Sequence, residues 1–549
     1  MTTVTTTEPG SGAVTATYDA VIVGAGFAGM YMLHKLRGLG LSARVYDAAG
    51  GVGGTWYWNR YPGARCDVAS VDYSFSFDPE LEKEWVWSEK YSTQPEILRY
   101  ANHVADRYKL WPDMQFDTRI ESSYFDEAAG RWTVRTSQGD VVSAQHLVMA
   151  VGTLSAPKLP EIPGIESFKG ATYQTSRWPH EGVDFTGLRV GVIGTGSSAI
   201  QSIPLMAKQA REFTVFQRTP NFSMPAGNRP VSQAEADEIK AGYPNYRQAA
   251  KESFFGVPMP ADIKGCFEVS DEEREATYQA GWDAGSLVGL IGAFNDVLFD
   301  KKANDTAAAF IHNKIRSIVK DPEVADALCP TNHPVGTKRP CLDTGYYETF
   351  NLDHVRLVNL LKTPITEITP TGINTAEESF EFDAIVYATG FDAMTGSFVR
   401  VDIRGRDGQE LKEVWKDGPK TYLGLGVAGF PNFYTVTGPQ SPSVLSNMMV
   451  SIEQHIDWIA ECMGYMADHG FATIEPTSDS AEAWVEHSIE LGDQTLYPMA
   501  NSWYMGANVP GKPRVFLPYV GGCGPYREKC NDVAAKGYEG FTLARTVSA

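Results

Sequence analysis

Short apolar runs alternate with polar, glycine-marked breaks along much of this chain. Tyr18-Asp19-Ala20-Val21-Ile22-Val23 is one such run and predicts a buried parallel strand. It leads into Gly24-Ala25-Gly26-Phe27-Ala28-Gly29. Residues 30–36 then read as a helix, and Arg44-Val45-Tyr46-Asp47 as a second strand ending in an acid. Asp47 stands 18 residues beyond the third glycine, where a carboxylate hydrogen-bonds a ribose in a βαβ nucleotide-binding unit. The glycines permit the tight turn and the approach of a pyrophosphate to a helix N-terminus. An acid at Asp47 fits an unphosphorylated ribose, as in FAD or NAD.

The pattern recurs. Arg189-Val190-Gly191-Val192-Ile193 predicts a strand, followed by Gly194-Thr195-Gly196-Ser197-Ser198-Ala199, with alanine in the permitted last position. Its second strand, Phe213-Thr214-Val215-Phe216, runs into Gln217-Arg218-Thr219. An arginine here suits a 2′-phosphate, so the first loop is assigned to FAD and the second to NADP. The alternative for Arg218 is a solvated surface residue. Two such loops in one chain suggest two dinucleotides held for hydride transfer from nicotinamide to flavin.

Polar, helix-like stretches at 232–241 and 270–281 suggest a helical insertion. The runs at 147–152 and 384–390 each end in glycine and mark crossings between two nucleotide domains. The expected fold is α/β, with two Rossmann-like domains. The FAD domain would take 18–152 and 391–549, and the NADP domain 153–219 and 330–390. The insertion would occupy 220–329 and a disordered tail 1–17.

Composition narrows the partners. At 549 residues the chain exceeds a single core. With 67 acidic and 47 basic residues its net charge is −20, which argues against general affinity for nucleic acid or anionic membrane. Seven scattered cysteines without a Cys-x-x-Cys remove support for a disulfide framework, a zinc site or a dithiol reductase. No apolar run approaches the ~20 residues that span a bilayer. The start lacks a basic, apolar leader, and a cytoplasmic protein, monomeric or a weak homo-oligomer, is expected. The ten histidines show no ligand spacing, so no metal is expected.

Residues 53–67 carry a longer pattern: Gly53, Gly54, Trp56, Tyr61, Pro62, Gly63 and Asp67. This resembles the long fingerprint of type I Baeyer–Villiger monooxygenases. The family's shorter fingerprint is met by Phe168, Gly170, Trp178 and Pro179, with Gln174 where histidine is usual. Glutamine can hydrogen-bond but cannot carry a proton charge. Trp178-Pro179 sets the chain apart from N-hydroxylating and flavin-containing monooxygenases. Gly336-Thr337-Lys338-Arg339, Gly429-Phe430-Pro431-Asn432, Ser446-Asn447-Met448 and residues 500–508 are similar to the phenylacetone monooxygenase branch.

The resemblance implies oxygen insertion beside a ketone carbonyl, giving an ester or lactone, using FAD, NADPH and O2 through a C4a-peroxyflavin. It implies that Arg339 is the catalytic cation and that Asp67 pairs with it. Lys338, Arg218 and Thr219 would hold the 2′-phosphate. Thr195, Gly196, Ser197 and Ser198 would meet the pyrophosphate, and Trp503 would touch NADP. Gly54, Thr55, Trp56, Tyr73 and Met448 would line the flavin beside Gly24, Gly26, Gly29 and Asp47. Ser441, Pro442, Ser443, Val444 and Leu445 would face the substrate. Arg65 reads equally as a helper of Asp67 or as a surface residue. The rival readings are an NADPH oxidase-like flavoprotein that releases peroxide and a non-catalytic flavin-binding redox sensor.

Overall fold

The computed structural model describes residues 13–260 and 262–545. Two sheets organise it. In the larger, of eight strands, Ala16–Val23 pairs in parallel with Ala43–Tyr46 on one side and Val141–Met149 on the other. Met114–Gln115 extends one edge. Arg131–Thr136, Ile120–Asp126 and Asp402–Arg404 extend the other. Phe433–Thr435 pairs with Val141–Met149 off this path, so the C-terminal part of the chain returns to the first sheet. The second sheet is wholly parallel, in the order Val355–Asn359, Glu212–Gln217, Arg189–Ile193, Ala384–Tyr387, Ala171–Gln174.

The central strands carry continuous Val and Ile because both faces are covered, and Val21, Ile22, Val190 and Val192 are fully buried. Each glycine loop leaves the C-terminal end of a strand with neighbours on both sides. That is where a parallel sheet opens a crevice for a ligand.

The stretch between Ser223–Pro225 and Cys341–Asp343, two strands that pair in parallel, is largely helical. Ser232 and Ser270 accept the Glu235 and Glu273 N–H groups at the starts of Gln233–Glu252 and Asp271–Ala284, the arrangement that Ser-x-x-Glu specifies. Lys301–Ile318 buries Ala303, Ala307, Phe310 and Ile311 in one core with Val190 and Val215 of the second sheet. The sequence-based insertion at 220–329 thus begins with a strand, because Ser223–Pro225 finds a partner far along the chain. The tail expected over 1–17 also needs correction. Ala16 and Thr17 pair with Val142 and Ser143, extending the first strand toward the N-terminus. Residues 1–12 lie outside the described residues.

Gln233–Glu252 also reaches the first sheet's side of the molecule. Its Arg247 pairs with Glu82 at 2.7 Å, both side chains almost buried, and donates to Ser74 Oγ at 2.8 Å. Tyr246 donates to Asp72 Oδ1 at 2.8 Å. Burial pushes the Asp72 carboxyl up to about 6, against the pull of Tyr246 and Arg247.

A raised carboxyl pKa means that the folded state binds the proton more tightly. The contribution of Asp72 to stability therefore falls as pH rises from near 4 through 6 and is level above. Asp72→Asn keeps an acceptor for Tyr246 without the buried charge. It should stabilise the protein by about 3 kcal/mol above pH 7 and by nothing near pH 4, as read by chemical denaturation at the two pH values.

Candidate active site

The first glycine loop is shaped for close approach. Gly24 has φ +105°, and a Cβ there would stand 2.5 Å from the Ala150 carbonyl oxygen. Gly26 caps the helix Phe27–Gly38, and Gly54 lies against Gly26. The Asp47 carboxylate accepts the Ala25 N–H at 2.6 Å and the Ala49 N–H at 2.7 Å, bracing the loop with both oxygens. Burial raises its pKa while those N–H groups oppose the rise. Trp56 donates from Nε1 to the Tyr73 hydroxyl at 3.1 Å, and the Gln94 amide donates to the Trp56 carbonyl. Thr55 opens the short helix Thr55–Trp58, and half-buried Met448 opens Met448–His469.

The second loop repeats this geometry. Thr195 Oγ1 donates to the Thr219 carbonyl at 2.9 Å, tying the loop to the turn that carries Arg218. Gly196 caps Ser197–Ala207, and a Cβ at Gly196 would meet nothing within 4 Å. Open space thus lies before that helix N-terminus, beside exposed Ser197 and half-buried Ser198, as a pyrophosphate requires. Burial first, then the charge of Arg218, lowers the Lys338 pKa. Among the described residues neither cation has an ion-pair partner. His333, pushed down to about 3 by burial and Lys338, stays neutral. Two unpaired, mutually repelling cations suit a multivalent anion, so the donors present fit a 2′-phosphate here and an unphosphorylated ribose at Asp47.

Between the loops lies the strongest interaction of the site. Arg339 donates from Nε to Asp67 Oδ2 at 2.6 Å and from Nη2 to Asp67 Oδ1 at 2.9 Å. Its Nη1 donates to the Val444 carbonyl at 2.9 Å. Burial works to lower the guanidinium pKa, but the Asp67 charge more than offsets it, so Arg339 stays charged at any working pH. Tyr504 packs beside it, its pKa pushed up to about 12 by burial with Arg339 opposing. Trp503 is half-buried, its ring centroid 4.2 Å from that of Tyr504.

Some sequence candidates are placed differently from the rest. Ser441 Oγ donates to the Gly438 carbonyl at 2.7 Å and Ser443 Oγ to the Thr437 carbonyl at 3.1 Å, both fully buried. Pro442 is buried with them, so within 441–445 Val444, whose carbonyl meets Arg339, and Leu445 remain, clustered with Tyr504. Arg65 points away and pairs with Glu89 at 3.3 Å. Its carbonyl instead accepts from Gln201 Nε2 at 3.2 Å, while Gln201 Oε1 accepts from the Tyr61 hydroxyl at 2.9 Å. Gln201 thereby fastens the 53–67 segment to the helix of the second loop. Sequence reasoning missed Gln201 and Tyr504. Only the neighbour Trp503 hinted at the second.

Gln174 ends a strand of the second sheet and donates from Nε2 to the Lys158 carbonyl at 3.2 Å. An amide supplies that donor without ionising. All seven cysteines are free and buried. Among the described residues no group of His, Cys, Asp and Glu side chains could hold a metal, and no helix is long and apolar enough to cross a membrane.

Residues 21–242 match the family model described as pyridine nucleotide-disulphide oxidoreductase. A Baeyer–Villiger monooxygenase of Pseudooceanicola batsensis is 43% identical, covering 97% of each chain. A phenazine N-monooxygenase of Lysobacter antibioticus is 44% identical over 96% of this chain and 97% of its own. The acetone monooxygenase (methyl acetate-forming) of a Gordonia species is 42% identical over 96% of this chain and all of its own. Among solved structures, an oxidized steroid monooxygenase bound to NADP superposes with TM-score 0.93 at 53% identity, covering 96% of this chain and 100% of that one. Closed cyclohexanone monooxygenase gives 0.95 at 42%, covering 97% and 100%. A complex of OTEMO with FAD and NADP gives 0.93 at 41%, covering 96% and 99%. The two strand–glycine-loop–helix units and these likenesses define a flavoprotein monooxygenase. The chain belongs to the Baeyer–Villiger monooxygenase family.

Removing one partner of the central pair strands a largely buried cation. Asp67→Ala should lower unfolding stability by about 3 kcal/mol, measured by urea denaturation. A change near zero would mean that water or the Val444 carbonyl already satisfies Arg339. Gln174→His should leave the thermal midpoint and product yield per NADPH unchanged, since either side chain can donate to Lys158. An altered yield on that substitution would show that ionisation at this position matters.

Proposed function

We propose that Arg339, oriented by Asp67, is the catalytic cation of an FAD- and NADPH-dependent monooxygenase that inserts one oxygen atom of O2 beside a ketone carbonyl. The observation that carries this reading is the bidentate Arg339–Asp67 pair beside two dinucleotide loops. In this reading FAD lies on Gly24, Gly26, Gly29 and Asp47, lined by Gly54, Thr55, Trp56, Tyr73 and Met448. NADPH lies on Gly194–Ser198, with its 2′-phosphate on Arg218, Thr219 and Lys338. The FAD domain takes 18–152 and 391–549, with its first strand extended back to Ala16. The NADP domain takes 153–219 and 330–390, with the helical insertion between.

When bound, the two cofactors supply the hydride and the activated oxygen. The protein's part is placement and charge. Arg339 keeps its proton throughout, so it stabilises negative charge as that develops on oxygen and on the attacked carbonyl without surrendering a proton to it. A lysine there would lose charge on burial. Asp67 fixes the Nε/Nη2 edge of the guanidinium, and the Val444 carbonyl accepts from Nη1. This aims the cation and limits its rotation. Half-buried Trp503, whose indole is a donor only, would cover the nicotinamide side and exclude water. Val444 and Leu445, next to the guanidinium, favour an uncharged ketone. The relatives named for acetone, cyclohexanone and steroid chemistry support the ketone class.

A second reading, oxygen transfer to an aromatic nitrogen, is favoured by the phenazine N-monooxygenase relative. Both are tested by supplying NADPH with a ketone panel and with phenazine. Ester or lactone as the main product supports the first, and N-oxide without ester supports the second. Peroxide equal to NADPH consumed, with neither product, would mark an oxidase.

Arg339→Ala should still permit flavin reduction by NADPH but lower ester formation by about a hundredfold or more. Normal ester yield would remove Arg339 from its role. Lys338→Ala should raise KM for NADPH by about tenfold and leave that for NADH nearly unchanged, read by steady-state absorbance. Equal shifts would take Lys338 out of the phosphate site.

A further inference from the structure

Lys158 lies outside both glycine loops and both fingerprints, yet two strands of the second sheet converge on its backbone. Its N–H donates to the Gly390 carbonyl at 3.1 Å. Its own carbonyl accepts from Gln174 Nε2 at 3.2 Å and from Thr389 Oγ1 at 2.7 Å. Gln174 closes Ala171–Gln174, and Thr389 and Gly390 follow Ala384–Tyr387. The residue is therefore pinned at the C-terminal edge of this parallel sheet, the same edge from which Arg218 leaves Glu212–Gln217.

From that anchor the side chain reaches into the 500–513 segment, where Nζ donates to the Asn508 carbonyl at 2.6 Å. The segment is fastened to the neighbouring crossover by other bonds. Asn508 Nδ2 donates to the Phe391 carbonyl at 2.7 Å. Lys512 Nζ donates to Asp392 Oδ1 at 2.8 Å and to the Ala393 carbonyl at 2.7 Å. Thus 508–512 is clamped to 391–393 and to Lys158, while 503–504 of the same segment set Tyr504 beside Arg339 and Trp503 against Tyr504. Among the described residues Lys158 forms no ion pair. Burial and the charge of Arg218 lower its pKa, while Glu161 and Asp392 support its charge. Arg218 acts on Lys338 in the same sense, so three ammonium and guanidinium groups share one field.

We propose that Lys158 is a positioning residue that couples the docking of the Trp503-bearing segment to the 2′-phosphate of the dinucleotide. The proposal rests on the reading of the second loop as the NADPH site. A dianion on Arg218 and Lys338 relieves the repulsion felt by Lys158 and strengthens its charged hydrogen bond to Asn508. By linkage, the bond must raise affinity for the phosphorylated dinucleotide by the same factor with which the phosphate tightens the segment. NADH lacks that group and gains nothing from the coupling. Lys158 thereby adds to cofactor discrimination through the segment it holds, and Gln174 serves by holding the Lys158 backbone in place.

The test uses the FAD-loaded full chain and two readouts that do not depend on turnover. Dissociation constants for NADP+ and NAD+ are measured by calorimetry, and hydrogen exchange is followed in 500–513 with each nucleotide. In the wild type NADP+ should slow exchange in the segment more than saturating NAD+ does. Lys158→Met should abolish that difference and weaken NADP+ by about tenfold, with NAD+ altered by less than about twofold. Lys158→Arg should restore both effects. Lys158→Gln gives the same comparison if the Met variant fails to retain FAD. The inference is overturned if the Met or Gln variant keeps NADP+-specific protection, or if it weakens NADP+ and NAD+ alike. Wild-type protein that binds NADP+ no tighter than NAD+ would instead overturn the reading of the second loop itself, and this inference with it.

Discussion

A guanidinium enclosed between two sheets must be paired, and the pairing of Arg339 with Asp67 constrains everything around it. Asp67 ends a segment that packs beside the first glycine loop. Arg339 stands two residues before the strand Cys341–Asp343 on the other side. A bidentate bond between them permits one relative placement of the two halves. The Val444 carbonyl adds a third direction, so a stretch returning late in the chain is registered against the same cation. The cost of burying these charges is offset because Nε, Nη1 and Nη2 each donate to an acceptor, which leaves two further N–H groups of the guanidinium free, among the described residues, to meet an anion.

Around that pair the fold performs the same operation twice. A buried parallel strand ends, a glycine turn follows, and a helix N-terminus is presented at the sheet's crevice. The two versions differ in what surrounds the turn. Asp47 braces the first with both oxygens, whereas among the described residues Arg218 and Lys338 have no ion-pair partner beside the second. One site is negative and self-contained, the other positive and in need of an anion. This difference in charge separates two otherwise similar nucleotide sites. Gln201 joins them, bonding to Tyr61 and to the Arg65 carbonyl from the helix of the second loop.

The segment carrying Trp503 and Tyr504 is held mainly by hydrogen bonds to backbone carbonyls and one charged pair, at Lys158, Asn508 and Lys512. Such contacts are individually modest and reversible. The core behind them is different in kind: Tyr497, Phe516 and Leu517 are buried in an apolar cluster with Tyr504. The segment thus has a rigid apolar base and a polar clamp at its far end.

Much of this was legible in the order of residues. Short buried strands and glycine turns depend on neighbours a few positions away, so local pattern specified both βαβ units, and the sign of the residue after each second strand is what the proposed cofactor assignment rests on. The polar, helix-like stretches at 232–241 and 270–281 likewise announced two helices, which the structure starts at Gln233 and Asp271. The long fingerprint pointed to Asp67, and its likeness to a family pointed to Arg339, although 272 residues separate the two. Tertiary structure decided what no window contains. It turned Ser441 and Ser443 inward, sent Arg65 to Glu89, and started the first strand at Ala16 through pairing with Val142. It also gave Gln174, Gln201 and Lys158 their partners. The physical reason is one: a hydrogen bond or ion pair is made by proximity in space, and a polar side chain's partner is chosen by the fold that brings distant backbone beside it.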